Sequence, residues 1–322
     1  MKPFQYVTAQ TPESAADLVE DNGRYFSGGI DLLGEMKEYI ASPKILVNVK
    51  SLPDTREIKK ASDALFTIGA NVTVAEIAAH EDLRKVFPGL AQAADEVGSP
   101  QIRNVATLGG NLAQHSRCWY YRHRDIQCLK KGGATCYARE GENKYHSLFT
   151  GNPCISPTPS NLGVALTALN ANAVVLREKK SVNLSMRELY HDAWVNPLAH
   201  NSLAPSDLIL RVEIPVVENS RSAYLQMSEK SDFDWALVSV AVAASVDGKK
   251  LSGARIALGQ VAPIPYESEA ANKFLEGKTL DDATASQAAD LILKDATPFE
   301  QNGYKIPLAH TLIRRALLKL VS

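Results

Sequence analysis

No charge of one sign dominates this chain: 35 basic and 36 acidic residues leave a formal net charge of -1 over 322 residues. A protein built to grip nucleic acid or an anionic membrane carries a basic excess, and none is present. Nor does any apolar run approach the roughly 18–20 residues that cross a bilayer. The opening Met1-Lys2-Pro3-Phe4-Gln5 has no apolar signal core. The expectation is a cytoplasmic chain, or one carried to the periplasm by an exported partner. Internal repeats, low-complexity tracts and a Ser/His/Asp nucleophile constellation are all missing. The spacings G-x-G-x-x-G and G-x-x-x-x-G-K-[ST] are missing too, which removes the case for a Rossmann dinucleotide site or a P-loop. Composition is otherwise that of an ordinary globular protein, 45% hydrophobic and 22% charged, and long enough for two or three domains.

What is present begins with alternating strand and helix signals. Thr11-Pro12 reads as a helix N-cap and first position, with Gly23 as the stop. Strand-like runs occupy 24–27, 45–49 and 66–70, and helical patterns cover 31–39 and 90–97. Thr73 and Glu76 form a capping box that opens a helix near His80. From about 114 to 159 periodicity disappears, and a loop this long in a compact chain is usually functional. Beyond it, a helix is expected at 162–170, strands at 173–176, 209–214, 237–244 and 254–258, and helices at 280–296 and 309–320. The texture changes over 206–218, dividing an N-terminal part, 1–210, from a C-terminal α+β domain, 211–322.

Two glycine turns stand out. Ser27-Gly28-Gly29-Ile30-Asp31 lies between a strand and a helix. Successive glycines let backbone amides face an anion without Cβ obstruction, although a plain tight turn has the same sequence. The second turn is Thr107-Leu108-Gly109-Gly110-Asn111, whose Thr and Asn add side-chain hydrogen-bonding groups for phosphate or ribose oxygens.

Around these turns the sequence resembles a known family. Gln101-Ile102-Arg103-Asn104-x-Ala106-Thr107-x-Gly109-Gly110-Asn111 is similar to the pyrophosphate loop of FAD subunits of the xanthine dehydrogenase family. Ser27-Gly28-Gly29-Ile30-Asp31-Leu32 resembles that family's first FAD loop. Ile68-Gly69-Ala70, Pro159-Ser160-Asn161, Trp235-Ala236-Leu237 and Leu258-Gly259-Gln260 extend the likeness, in order, over nearly the whole chain. The resemblance implies an α+β protein: a two-subdomain, non-Rossmann FAD-binding fold of the vanillyl-alcohol-oxidase type, then a CO-dehydrogenase-flavoprotein-like domain. It places Ser27, Gly28, Gly29, Ile30 and Asp31, with Thr107, Gly109, Gly110 and Asn111, around the diphosphate and ribityl chain of FAD. It puts Ser160 near the ribityl or flavin and Lys230 near the flavin. Asn161, also in the set, stands where the family usually has Asp; an amide adds donors and removes a charge.

All four cysteines fall in one window, Cys118-x9-Cys128-x7-Cys136-x17-Cys154. Two disulfides, a zinc site or an iron–sulfur cluster would each explain the grouping, and four unrelated buried thiols would leave it to chance. Close C-x2–4-C pairs, usual for zinc, are lacking. Arg117, Arg122, Arg124, Lys130 and Lys131 are candidates to offset a thiolate-bound cluster, and Gly132-Gly133 to bring amides near its sulfurs. The insertion, about 114–158, starts Arg-Cys-x-Tyr and ends Cys-x5-Ser. In this it resembles the flavin subunits of 4-hydroxybenzoyl-CoA reductase and of bacterial aldehyde-oxidising three-subunit complexes. That resemblance implies a [4Fe-4S] cluster on Cys118, Cys128, Cys136 and Cys154 beside FAD.

The function so implied is electron transfer, without catalytic residues in this chain. An aldehyde or N-heterocycle substrate would be oxidised by a molybdenum-cofactor large subunit, a small subunit would hold [2Fe-2S] clusters, and a ferredoxin-like carrier would exchange electrons. Two alternatives remain open: a ferredoxin-dependent aromatic CoA-thioester reductase subunit, and a zinc-stabilised adaptor without flavin. His115, His123 and His146 are not needed as ligands beside four cysteines. Trp119, Tyr120 and Tyr121 read as a shield for the cluster, and Asp232, Asp234, Asp281 and Asp282 as solvated or capping acids.

Overall fold

The computed structural model describes residues 1–20, 22–231 and 233–322, so Asp232 lies outside the described residues. Three sheets organise the described residues. In the first, Gln5–Thr8, Ile45–Asn48 and Gly23–Phe26 pair in parallel, in that spatial order. Helix Pro12–Glu20 covers it, seating Ala15, Ala16 and Val19 against Val47 and Val49. The Thr11 hydroxyl accepts from the Ser14 amide at 3.1 Å, as the cap spacing predicts. The positive-φ residue after the helix is Asn22, at 62°, whereas Gly23 opens the strand. A Cβ at Gly23 would lie 2.6 Å from the Leu18 carbonyl oxygen, so close approach rather than helix termination requires glycine there.

The second sheet has five antiparallel strands, ordered Ile58–Ser62, Leu65–Gly69, Leu208–Pro215, Asn172–Arg177, Lys180–Ser185. The strand Leu208–Pro215 is its centre, with Val212 and Ile214 fully buried. This strand runs across the expected 210/211 boundary. The capping box of Thr73 and Glu76 forms and opens helix Val74–Ala79.

The third sheet is an antiparallel array of Ser220–Met227, Val238–Asp247, Lys250–Gly259 and Tyr266–Glu267. Helices Glu269–Leu275, Asp282–Leu293 and Lys305–Leu318 pack on it through Leu275, Ile292, Ile313 and Ala316. Asp281 caps the second of these by accepting from the Thr284 amide, and Asp282 pairs with Arg314 at 2.6 Å. Helix Asn161–Ala168, buried at every residue, joins the two larger sheets. Leu162, Val164 and Leu166 share one core with Val212 and Ile214 on one side and Ala241 and Ala257 on the other. Each of the leucine, valine and isoleucine side chains contributes roughly 1.5–3 kcal/mol by leaving water.

Between 114 and 159 the described backbone forms only the short helix Trp119–Arg122 and the 3-10 turn Leu129–Lys131. Long-range anchors fix it instead. The Leu148 and Phe149 amides donate to the Val261 carbonyl. Lys305, with no exposed surface, donates to the carbonyls of Tyr145, His146 and Gln260 at 2.8–2.9 Å, and burial pushes its pKa down to about 7. The Asn302 carboxamide donates to the carbonyls of His146 and Ser147. No helix among the described residues is long and apolar enough to cross a membrane.

Candidate functional site

Both glycine turns line one cleft of about 510 Å³, together with Asn161, residues 203–205 and 207–209 and the loop 233–236. That volume falls in the range of small-molecule and cofactor sites. The turns touch each other. Ser27 Oγ donates to Asn71 Oδ1 at 2.7 Å and lies 3.0 Å from Thr107 Oγ1. A Cβ on Gly28 would come within 2.3 Å of the Val105 carbonyl oxygen, and Gly29 has φ +73°. Glycine at 28 and 29 is therefore demanded by the meeting of the loops. Gly109 is similar, its amide donating to the Ala70 carbonyl at 2.8 Å. Gly110 is not: a Cβ there would meet only Thr107 Oγ1, at 3.1 Å, and its φ is outside the left-handed region. It faces the open cleft, where a side chain would fill the space an elongated anionic ligand such as FAD needs.

The remaining candidates divide by position. Asn111 and Asn161 line the cleft, and Ile30 is exposed at its rim. Ser160 does not line it; its buried hydroxyl donates to Asn111 Oδ1 at 2.7 Å and accepts from the Gly163 amide at 2.9 Å. It caps a helix and orients Asn111 from behind. Asn161 donates to Gln226 Oε1 at 3.1 Å, and Gln226 in turn donates to Glu96. Lys230 is exposed and lines an adjoining cavity of about 400 Å³, with Arg103 and Asp234, rather than the main cleft. The Asp234 carboxylate accepts from the Lys230 amide. Trp235 is half exposed at the cleft mouth, with the Arg117 guanidinium 4.9 Å from its ring centre.

Asp31 departs furthest from expectation. Its carboxylate accepts from Arg117 and Arg122, each at 2.5 Å, and from the His115 amide at 2.7 Å. One turn later, buried Glu35 accepts from the Tyr121 hydroxyl at 2.8 Å and sits 2.8 Å from His115 Nδ1 and 3.7 Å from Arg122. Burial alone would raise the Glu35 pKa; the hydrogen bond and charge of His115, then Arg122 and Tyr121, outweigh it and hold Glu35 at about 2. The His115 ring stacks on that of His200 at 4.0 Å. Arg117 and Arg122 thus compensate the acids of the first glycine turn and its helix. Tyr121 likewise turns away from the cysteines. Glu35 and His200 had not been singled out from the sequence; the i, i+4 spacing of Asp31 and Glu35 was the one signal.

The four cysteines are free thiols. Backbone amides aim at their sulfurs: Tyr120 and Tyr121 at Cys118, Ile155 and Ala138 at Cys136, Ser156 at Cys154. The Cys136 thiol donates to Cys154, which this bond and then Lys130 favour as thiolate against burial. Burial pushes Cys118 up to about 12. His146 Nε2 lies 3.1 Å from Cys118 Sγ, and its buried Nδ1 has no hydrogen-bond partner. Lys130 is only 7% exposed, and its ammonium senses all four thiols. The Gly132 and Gly133 amides bond to the carbonyls of Leu129 and Cys128 instead, closing the turn. Lys131 reaches the His123 carbonyl, and Arg124 pairs with Asp125, both on the surface. Trp119 packs edge-on against Tyr145 and His146, and Tyr120 stacks on Tyr137. Among the described residues no three cysteine sulfurs lie within 4.8 Å of one another. Four thiolates on one zinc, with bonds of about 2.3 Å, would stand about 3.8 Å apart. The donor set is acceptor-rich thiols surrounded by N–H groups and one cation, which fits an anionic multi-iron cluster.

Residues 2–217 match the family model for the FAD-binding domain in molybdopterin dehydrogenase, and residues 222–320 the CO dehydrogenase flavoprotein C-terminal domain. The chain is 33% identical over 327 residues to the aldehyde oxidoreductase FAD-binding subunit PaoB of Escherichia coli K12, covering 98% of each. It is 24% identical to the CO dehydrogenase medium chain of Hydrogenophaga pseudoflava, covering 98% of this chain and 96% of that one. Two solved structures share its fold. One is reconstituted CO dehydrogenase from Oligotropha carboxidovorans, with TM-score 0.78, 23% identity and coverage of 100% and 99%. The other is quinoline 2-oxidoreductase from Pseudomonas putida 86, with TM-score 0.76, 22% identity and coverage of 99% and 96%. The chain therefore belongs to the FAD-binding medium-chain subunits of the xanthine dehydrogenase and CO dehydrogenase family, oxidoreductase subunits whose substrate chemistry resides in partner chains.

Proposed function

We propose that this chain is the electron-transferring subunit of a heterotrimeric molybdenum hydroxylase, holding FAD in the cleft and a [4Fe-4S] cluster on Cys118, Cys128, Cys136 and Cys154. Its partners are a molybdenum-cofactor large subunit and a [2Fe-2S] small subunit, with a ferredoxin-like protein as external carrier. Aldehydes are the substrate class, on the strength of the 33% identical relative, itself an aldehyde oxidoreductase subunit. The observation that carries the two-cofactor reading is the joint between the sites. Asp31, at the end of the first glycine turn, bonds both arginines that flank Cys118.

When bound, FAD supplies a junction between one- and two-electron steps; the protein supplies binding, orientation and tuning. The glycine turns give the diphosphate a backbone surface without side-chain obstruction. Asn111, oriented by Ser160, leaves its amide N–H groups for a ribityl or phosphate oxygen. The amides of residues 120, 121, 138, 155 and 156 stabilise negative charge on the sulfurs.

Purified anaerobically with its partners, the chain is expected to carry about one FAD and about four irons beyond those of the small subunit. Acid precipitation should release all the yellow colour, because neither glycine turn contains an attachment His or Cys. Each Cys→Ala variant should lose most of that iron and its low-temperature EPR signal while keeping FAD. Stoichiometric zinc without iron, or two disulfides, would overturn the cluster and leave the FAD reading standing. A folded chain without flavin would overturn the FAD site.

A further inference from the structure

Five cations surround the cysteine sequence, and their partners separate them. Arg117 and Arg122 bind Asp31, and Arg122 also approaches Glu35. Arg124 pairs with Asp125, and Lys131 bonds the His123 carbonyl, both on the surface. Lys130 alone of the five is buried with its ammonium in electrostatic reach of Cys154, Cys118, Cys128 and Cys136 together.

Its position is built. Lys130 sits in the 3-10 turn Leu129–Lys131, directly after Cys128. The turn closes through Gly132 at φ +86°, and the Gly133 amide returns to the Cys128 carbonyl. A Cβ at Gly133 would lie 2.0 Å from the Gln127 carbonyl oxygen, so the turn admits no larger residue there. The ammonium is held by the Ala199 carbonyl at 2.7 Å. The next residue, His200, accepts from the Ser116 amide and stacks on His115, which lines the FAD cleft. One segment thus fixes the cation and braces the cleft wall.

We propose that Lys130 is a positioning residue whose buried positive charge sets the reduction potential of the iron–sulfur cluster held by the four cysteines. The proposal rests on the cluster reading above. A cluster on four thiolates is anionic, and an added electron makes it more so. A nearby cation in a poorly screened interior stabilises the reduced state more than the oxidised one and raises the potential. A neutral side chain at the same place removes that preference.

The test is an EPR-monitored redox titration of the intact complex carrying Lys130→Gln or Lys130→Arg, with iron and flavin measured on the same samples. Glutamine retains a donor for the Ala199 carbonyl and removes the charge. The expected result is a cluster midpoint displaced to more negative potential in Lys130→Gln and returned most of the way in Lys130→Arg, with flavin near the wild-type level. Iron lost from Lys130→Gln but kept by Lys130→Arg would equally support a requirement for charge. An unchanged midpoint in Lys130→Gln overturns the proposal. So does iron loss in both variants, since the site would then need the shape of lysine. A wild-type chain without iron removes the cluster reading itself, and the proposal with it, before any variant is compared.

Discussion

Replacing Asp31 by Asn tests whether this residue serves FAD or the frame around it. The wild-type carboxylate accepts from two guanidiniums at 2.5 Å and one amide at 2.7 Å, with about a fifth of the side chain exposed. Hydrogen bonds to charged groups are worth about 1.5–3 kcal/mol each in net terms. The carboxamide keeps one neutral acceptor for an arginine and turns a donor toward the His115 amide. Allowing for partial exposure, the expected loss is about 2–4 kcal/mol, a large part of a domain's stability. The assay is urea unfolding followed by tryptophan fluorescence, run with excess FAD because a bound ligand stabilises by mass action. The midpoint should fall while acid-released flavin per folded chain stays near wild type. Flavin lost at an unchanged urea midpoint would refute the reasoning, because it would show the carboxylate acting on FAD directly.

Three further outcomes are expected. Gly110→Val should fold and lose FAD, its side chain entering open cleft, whereas Gly28→Ala should lose stability by about 1–3 kcal/mol through its clash with Val105; equal flavin content in Gly110→Val and wild type would remove Gly110 from the site. Asn161→Asp, although it restores the usual family residue, should weaken the chain by about 1–2 kcal/mol, because a carboxylate would face Gln226 Oε1, which already accepts from Tyr224; an unchanged melting temperature would show that Gln226 re-pairs freely. Glu35 is held at about 2, below its ordinary 4.5, so its contribution is present above pH 4.5 and lost as pH falls toward 2; a Glu35→Gln variant should be less stable at neutral pH, with the gap narrowing across that acid window in urea titrations.

The strands absent from the sequence reading lie at sheet edges. Ile58–Ser62 and Lys180–Ser185 are the two edges of the five-stranded sheet, and Ser220–Met227 is an edge of the four-stranded one. The two edges of the five-stranded sheet have one neighbour and largely wet faces, so neither needs an apolar run, whereas Ser220–Met227 buries Ser222, Ala223 and Tyr224 but breaks its apolar pattern with polar residues. Ile58–Ser62 is exposed at all but its first residue. The central strands Ile45–Asn48, Leu208–Pro215 and Val238–Asp247 have neighbours on both sides and were legible as apolar runs. Helix Met186–Val195 was missed although it carries two signals, the capping box of Ser185 and Glu188 and a regular buried face of Met186, Leu189, Tyr190 and Ala193 at i, i+3, i+4 and i+7.

The site was legible where function constrains the local backbone and opaque where it depends on distant partners. Gly28 and Gly29 announce a turn because the chain cannot make that contact with larger residues. Grouped cysteines announce a shared ligand for the same local reason. Charge carries no such address. Arg117, Arg122, Arg124, Lys130 and Lys131 are equivalent in the sequence, and the residue that sorts them, Asp31, lies 86 positions before Arg117. That separation is why the arginine partners of Asp31 were not legible in the sequence. A motif inherited by position puts the residue on the cleft wall, where the structure also finds it, yet its oxygens are committed to the cysteine-bearing segment. Motif position therefore predicts location, and only the partners of a charged group predict its role. Here they make the first glycine turn a hinge point between the candidate sites for two redox groups.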